Sequence, residues 1–432
     1  MKSWLNNFST QQRFFDILEL AYTGGAFVLA RLASILALIY AARLMEPKEY
    51  AGLVYAIGLS QIIVHLGSMG WLNLIRKESS RFEFYSEDLV KGFLRRSFQI
   101  PITLIVLVLI GASILICIGA IPASISVAFT YALILSVPLL LMQIFREYMA
   151  GYKNPIGCVF LSETFPLWIM FVFFAIYRPQ EMGEAIFCVL FSQIAGLILQ
   201  IYIILPHLKA ANVSIKVEYK TPEWMKLAAL TMVGYGGKLL MDRMDIILIA
   251  PMVGMEQMAI FNSTSKIAAV LLLMSLVLIQ FYSPHVAKAF KANDEKCLNR
   301  IIRLQLIVVT LAMIPVGAIL IIYPIEVMIF VFGVQYEEGA NILWMSVLSN
   351  VLFAYALPFS SLLLMSDGER EYAIANLLGL VVYFILCCTL IPTRGIFGAS
   401  LGLLIATILM SIFIIYSALL RIKKINTFYR LE

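Results

Sequence analysis

Four basic side chains stand inside long apolar stretches of this 432-residue chain: Arg31, Lys238, Arg243 and Lys266. A cation at the centre of a membrane helix costs roughly 2.5–3.5 kcal/mol on insertion scales, so such residues face a protein interior or a watery cavity. A path that must hold something anionic would explain all four together. The densest charge lies in GYGGKLLMDRMDIILIAP, at 234–251. There Lys238, Asp242 and Asp245 follow i, i+4, i+7 spacing and share one helix face, while Arg243 is turned about 100° from Asp242. Asp242 and Asp245 read as charge-balancing groups. The plainer alternative is an internal salt bridge of Lys238 with Asp242 that holds two lobes together, which leaves Arg243 unexplained. The five charges Lys238, Asp242, Arg243, Asp245 and Lys266 sum to +1, and Arg31 brings the total to +2. A cavity with that surplus needs an anion, and guanidinium is well shaped for phosphate oxygens.

Each of the other singled-out residues has a second reading. Arg31, midway along the first apolar segment, could instead hold a carbonyl or Asp242 of the opposite lobe. Lys266 could snorkel or pair with Asn262. Glu163, flanked by Ser162 and Thr164, is a candidate for proton or cation coupling, or a partner for Arg31, or a member of a neutral hydrogen-bonded cluster. His65 titrates in the range of a proton relay, but a lone histidine is also an ordinary structural hydrogen-bonding group.

The elements that would position these residues follow from composition. With 62% hydrophobic and 13% charged residues and a mean hydropathy of +0.92, the chain reads as an all-α polytopic membrane protein. Twelve segments meet the roughly 20-residue requirement for a span: 21–44, 51–73, 98–121, 124–145, 155–177, 183–205, 224–252, 257–283, 301–323, 339–365, 372–391 and 396–420. Lysine and arginine test that topology. With both termini inside, 24 of them fall on the inner side and only Arg43, Lys48, Arg178 and Arg394 outside; the four intramembrane cations complete the 32. This asymmetry predicts twelve spans, N-in and C-in. The same placement argues against nucleic acid as a partner, since no basic stripe is interleaved with aromatics.

Smaller features fill in the plan. Residues 9–20 read as an amphipathic helix opened by a Ser9–Gln12 capping box, and the apolar run after it is expected to be retained as an anchor rather than cleaved. Phe82, Tyr85, Leu89 and Phe93 fall at helical spacing among charges, which predicts an interfacial helix over 81–96. The short apolar piece 324–333 reads as re-entrant or interfacial. Cys117, Cys158, Cys188, Cys297, Cys387 and Cys388 show neither CxxC nor histidine spacing and read as apolar fillers. A faint repeat lays PKEYAGLVYA on MEQMAIFNST at an offset of 208, and glycines recur at 24–25 and at 234, 236 and 237. Glycine-interrupted spans in corresponding halves are the sequence pointer to a transporter's central site. The polar loop 207–223 divides the chain into an N-terminal lobe, 1–206, and a C-terminal lobe, 207–432. No nucleotide-binding lysine loop, nucleophile elbow or hydrolytic carboxylate cluster occurs, so neither an enzyme nor a cofactor is expected. Energy would come from a proton or sodium gradient, a substrate gradient, or a partner.

Four stretches together resemble the polysaccharide (O-antigen type) flippases of the MOP superfamily, which also holds the multidrug MATE exporters. They are ARLMEPKEYAGLVYA at 42–56, LGSMGWLNLIRKESSR at 66–81, DRMDIILIAPMVGMEQMAIFNSTSKIA at 242–268 and VFGVQYEEGANILWMSV at 331–347. The resemblance runs over essentially the whole chain, with Ala51-Gly52 where glycine usually precedes the second span's apolar run. It implies two six-helix bundles around a central cavity in the bacterial cytoplasmic membrane. It also implies flipping of an undecaprenyl-pyrophosphate-linked oligosaccharide to the outer leaflet by alternating access. Arg31, Lys238, Arg243 and Lys266 would then hold the pyrophosphate. A polysaccharide polymerase and a chain-length regulator are the implied partners, besides membrane lipids. Twelve spans, not fourteen, set the chain apart from the lipid II flippases. Two other functions stay open: a cation-coupled exporter of amphipathic compounds, which would want cavity carboxylates, and a non-transporting scaffold for glycan assembly.

Overall fold

The computed structural model describes residues 25, 29–30, 32–79, 82, 86–151, 164–210, 218–292, 294–366 and 368–429. Arg31 and Glu163, the amphipathic helix expected over 9–20, and Cys158 lie outside these residues. The first half of the chain supplies α1 (Leu32–Leu44), α2 (Pro47–Gly67), α3 (Trp71–Ser79), α4 (Glu87–Cys117), α5 (Ala123–Gly151), α6 (Phe165–Tyr177) and α7 (Met182–Ala210). The second supplies α8 (Thr221–Asp242), a π-turn (Asp245–Ile249), α9 (Ala250–Val253), α10 (Met255–Ala268) and α11 (Leu272–Lys291). After these come α12 (Glu295–Ile322), α13 (Pro324–Phe332), α14 (Ala340–Met365) and α15 (Glu369–Tyr429).

All twelve expected spans have a helical counterpart among the described residues. Eight stretches are long and apolar enough to cross a membrane, with α1 and α6 as shorter apolar helices. At about 1.5 Å per residue, the 61 residues of α15 are far too long for one crossing. Gly395 (φ 55, ψ −137) breaks it into two limbs. A Cβ on Gly398 would lie 2.5 Å from the Leu390 carbonyl oxygen, and one on Gly402 3.2 Å from Leu386 Cβ. The limbs therefore pack closely as an antiparallel hairpin through these two glycines. The outward faces of α4 and α12 carry exposed Leu107, Ile110, Ile114, Leu311 and Ile314, a surface suited to lipid rather than water. The protein is a multi-pass membrane protein.

Helix starts follow local chemistry. Pro47 and Pro324 occupy first-turn positions, where the missing N–H is harmless. Ser86 caps α4 by accepting from Leu89 N, and Asp294 caps α12 by accepting from Cys297 N at 2.9 Å. Two expectations at the lysine- and arginine-rich end change. The second span stops at Gly67 instead of running to 73, because Met69 and Gly70 take positive φ and turn the chain into α3. No separate interfacial helix covers 81–96 among the described residues; from Glu87 onward the segment is the first part of α4. Leu89 and Phe93 are buried there, with Phe93 against Trp71 and Trp224, so their helical spacing reflects protein packing instead of a lipid surface. The 324–333 piece is the nine-residue α13, closed by Gly333 at φ +108.

Helices pack mainly within their own half of the chain. In the first half α2 lies against α5 and α7, and α3 against α5; in the second, α8 and α14 lie against α15, and α11 and α12 against α14. Between the halves, α2 packs on α10 and α3 on α8. The seam so formed brings the charged stretch of α8 against α2.

Candidate functional site

The seventh span is a broken helix. α8 ends at Asp242; Arg243 leaves helical geometry (φ −120, ψ 17), and a π-turn then carries Asp245–Ile249. Irregular backbone at such a place is tolerated in a membrane only where it is buried in protein or lines a cavity. The break changes which charges share a face. Asp242 is 55% exposed, whereas Asp245 is 4% exposed, so the i+7 register between Lys238 and Asp245 does not survive.

Each charge has a distinct environment. Lys238 Nζ bonds Asp242 Oδ1 within one helix and sits 4.7 Å from the centre of the Phe353 ring on α14. The pair is thus internal to α8 and does not tie the two halves. Asp242 is the open side of the pair, 55% exposed against 23% for Lys238, and charges within a span face a protein interior or a watery cavity rather than lipid. Arg243 does cross the seam: its Nη2 donates to Oε1 of Gln61 on α2. Asp245 turns the other way, and Oδ2 accepts from Asn262 Nδ2 of α10 at 2.6 Å. Its Oδ1 and the Asn262 Oδ1 are buried and have no hydrogen-bond partner among the described residues. Lys266 is half-buried in the last turn of α10, before a 3₁₀ turn at Ala269–Leu271. Asn262, a partner weighed for it, donates its amide N–H to Asp245, and its Oδ1 accepts no hydrogen bond from Lys266.

His65 on α2 is partly buried, with Nδ1 2.9 Å from the Gln61 carbonyl. His65 lies one turn beyond Gln61, the partner of Arg243, on the same helix. Glu147 is 2% exposed and clamps two guanidiniums, Arg76 of α3 at 2.5 Å and Arg146 at 2.5 Å. Among the described residues no group of three or more His, Cys, Asp or Glu side chains could hold a metal ion.

Gln61 and the Arg76–Glu147–Arg146 cluster are absent from the candidates read from sequence alone. A signal for Gln61 exists: Gly58, Gln61 and His65 fall on one stripe of α2 at i, i+3, i+7, a narrow polar line in an apolar helix. That stripe meets the break in the seventh span. A Cβ on Gly58 would lie 1.9 Å from Ile246 Cδ1 and 3.8 Å from Arg243 Nη1, so only glycine admits this approach unchanged. No comparable pattern announces Glu147, since two of its neighbours in space are 1 and 71 residues away in sequence.

No protein-family model matches the chain, and no curated protein does. Solved structures match over nearly the whole length. An inward-facing multidrug resistance MATE family transporter of the MOP superfamily superimposes with TM-score 0.69 and 14% identity, over 92% of this chain and 96% of the other. The lipid II flippase MurJ in an inward closed conformation gives TM-score 0.69 and 14% identity, over 93% of this chain and 89% of its own. An outward-facing MATE family transporter gives 0.61 and 13%, over 94% and 98%. The chain has the fold of the MOP superfamily transporters.

Proposed function

We propose that the protein flips a lipid-linked oligosaccharide carried on a polyprenyl pyrophosphate, of the undecaprenyl type, from the cytoplasmic to the outer leaflet. The carrying observation is Arg243: a guanidinium at a broken helix, on the seam between the halves, bonded among the described residues to the neutral amide of Gln61. A pyrophosphate is a far stronger partner for that fork than an amide oxygen, because charge-assisted bidentate bonds are roughly twice as strong as neutral ones. Lys238, beside Phe353, supplies a second cation whose partner Asp242 is the open side of the pair and easily exchanged. Arg31 and Lys266 complete the proposed cationic set, and Asp242 trims it. The halves, 1–206 and 207–432, would act as two lobes that alternate access, with both termini in the cytoplasm and the chain in the bacterial inner membrane. A proton or sodium ion, taken up at Glu163, His65 or Asp245, would drive the cycle.

Deletion followed by analysis of lipid-linked oligosaccharides tests the reading: an accumulating cytoplasm-facing intermediate is expected. Arg31→Ala and Arg243→Ala should each lower surface glycan; wild-type levels in both would remove these residues from the site. One observation favours a second reading. Asp245 is a buried carboxylate with an unmatched oxygen, as a cation-coupled exporter of amphipathic compounds would need. A lost drug tolerance with intact glycan on deletion would select that reading.

A further inference from the structure

Away from the charged break, the seam is closed at the end opposite the basic loops, and the closure has one polar centre. Arg43 stands at the end of α1 and is exposed at the rim. Its Nε donates to the Val331 carbonyl at 2.9 Å, and its Nη2 to the Phe330 carbonyl. These are carbonyls of the last turn of α13, which the helix itself leaves unmatched and which carry the negative end of its dipole. Gly333 at φ +108 ends α13 there and lets the chain turn back beside α1. Further along the turn, Gln335 Nε2 donates to the Ala42 carbonyl at 2.9 Å. Directly below, Tyr50 of α2 and Tyr336 meet edge to face with ring centres 5.8 Å apart, both fully buried. Every one of these contacts joins the first half of the chain to the second.

We propose that α13 and the turn after it are the outer closure of the transport path, and that Arg43 is the positioning residue that holds it shut. The inference rests on the alternating-access reading above, because only a protein whose halves separate needs a closure that can be released. The chemistry suits release. The bonds of Arg43 are made at an exposed rim, where water can replace each carbonyl as it leaves. The Tyr50–Tyr336 contact behind them excludes water from the seam while the rim is closed. The guanidinium fork fixes which two carbonyls the closing seam must meet, and the Gln335 bond to Ala42 adds a third fixed point beside it.

The test needs no cargo. In intact cells, a single reporter Ala42→Cys, in a chain whose other cysteines except Cys387 are replaced, is exposed to a membrane-impermeant maleimide from outside. Position 42 is fully buried under the Gln335 bond, so labelling is slow in the parent. Adding Arg43→Gln removes both guanidinium bonds to carbonyls at an exposed rim and is expected to speed labelling by at least about tenfold. Arg43→Lys, with its single point of charge, falls between the two. Cys387, fully buried within α15, stays protected in all three and reports that the chain is folded. Should Arg43→Gln also uncover Cys387, Gln335→Ala replaces it, with an expected rise of about threefold. An unchanged rate at position 42 in the folded variant overturns the proposal. Because the readout is accessibility alone, it fails or succeeds independently of the glycan measurements that test the flippase reading.

Discussion

The close approach of α2 to the broken seventh span can be tested by a paired substitution. In Gly58→Ala the new Cβ would stand 1.9 Å from Ile246 Cδ1, far inside van der Waals contact, and Ile246 is itself buried. The isoleucine tip must move or α2 must withdraw, and overpacking of this kind costs about 1–3 kcal/mol. Ile246→Val removes the offending Cδ1 and nothing else. In the wild-type background it leaves a small void and costs about 0.5–1.5 kcal/mol. In the Gly58→Ala background the nearest remaining atom is Ile246 Cγ1 at 3.3 Å, close but tolerable. The valine should then relieve the strain, so its effect reverses sign: destabilising alone, stabilising when combined with Gly58→Ala. Thermal unfolding midpoints of the four purified proteins in one detergent give the answer, and a sign reversal needs no two-state assumption. If Ile246→Val lowers the midpoint equally in both backgrounds, the two residues do not touch, and the seam is not built as described. Arg243 Nη1 lies 3.8 Å from the same Cβ, an ordinary contact, so its bond to Gln61 should persist in all four.

Substitutions at two further positions probe the buried carboxylates. Glu147→Gln withdraws the carboxylate charge that Arg76 and Arg146 share at a 2%-exposed position; because Arg76 is 56% exposed and can rehydrate, the expected loss is about 3 kcal/mol, at the low end for a broken buried pair. The variant should unfold at a lower temperature, and an unchanged midpoint refutes the clamp. Asn262→Ala removes the only described donor to Asp245 and should cost about 1.5–3 kcal/mol, read as a lowered midpoint, while Asn262→Asp should be worse through like-charge repulsion. An Asn262→Ala protein as stable as the parent would mean that Asp245 is held by something else.

The membrane architecture is legible because its signals are long and redundant. A span needs some twenty apolar residues, and the alternation of lysine and arginine checks each one, so twelve segments can be placed with little else. Short-range side-chain geometry is legible too: the i, i+4 spacing of Lys238 and Asp242 gives their ion pair. Asp245 shows where such reasoning stops. Its register with Lys238 assumes an unbroken helix, but the chain leaves α-geometry at Arg243 and passes into a π-turn, which rotates Asp245 onto Asn262. GYGG before the break hints at irregular backbone without saying which residue turns. The spacing of Leu89 and Phe93 is ambiguous in a different way, since an amphipathic face suits a lipid surface and a protein neighbour equally; Trp71 and Trp224, distant in sequence, decide it. Gln61 is the opposite case, a polar residue whose stripe with Gly58 and His65 is visible once the partner helix is known.

The two ends of the seam are held by unlike forces, and chain connectivity tells them apart. At the basic end, Phe93 and Trp224 pack 5.1 Å apart, and Glu218 N bonds the Asp88 carbonyl at 3.1 Å. These contacts sit where the link between the halves delivers the chain to α8, so closeness there is partly imposed by the covalent tether. Burying Trp71, Phe93 and Trp224 together is favourable, non-directional and tolerant of small rotations. At the opposite end no tether acts: Arg43 and Phe330 are separated by 287 residues. The loop-closure entropy of such a contact has to be met by the contacts themselves: directional hydrogen bonds at an exposed rim, backed by the buried Tyr50–Tyr336 pair. A structure built to rock about its tethered end would be expected to show this division, with a packed aromatic pivot near the linker and exchangeable polar bonds at the far edge. Arg243 lies between them, bonded to Gln61 across the same seam. Any group that draws Arg243 from Gln61 would therefore act on a cross-seam hydrogen bond lying between the fixed end and the free one.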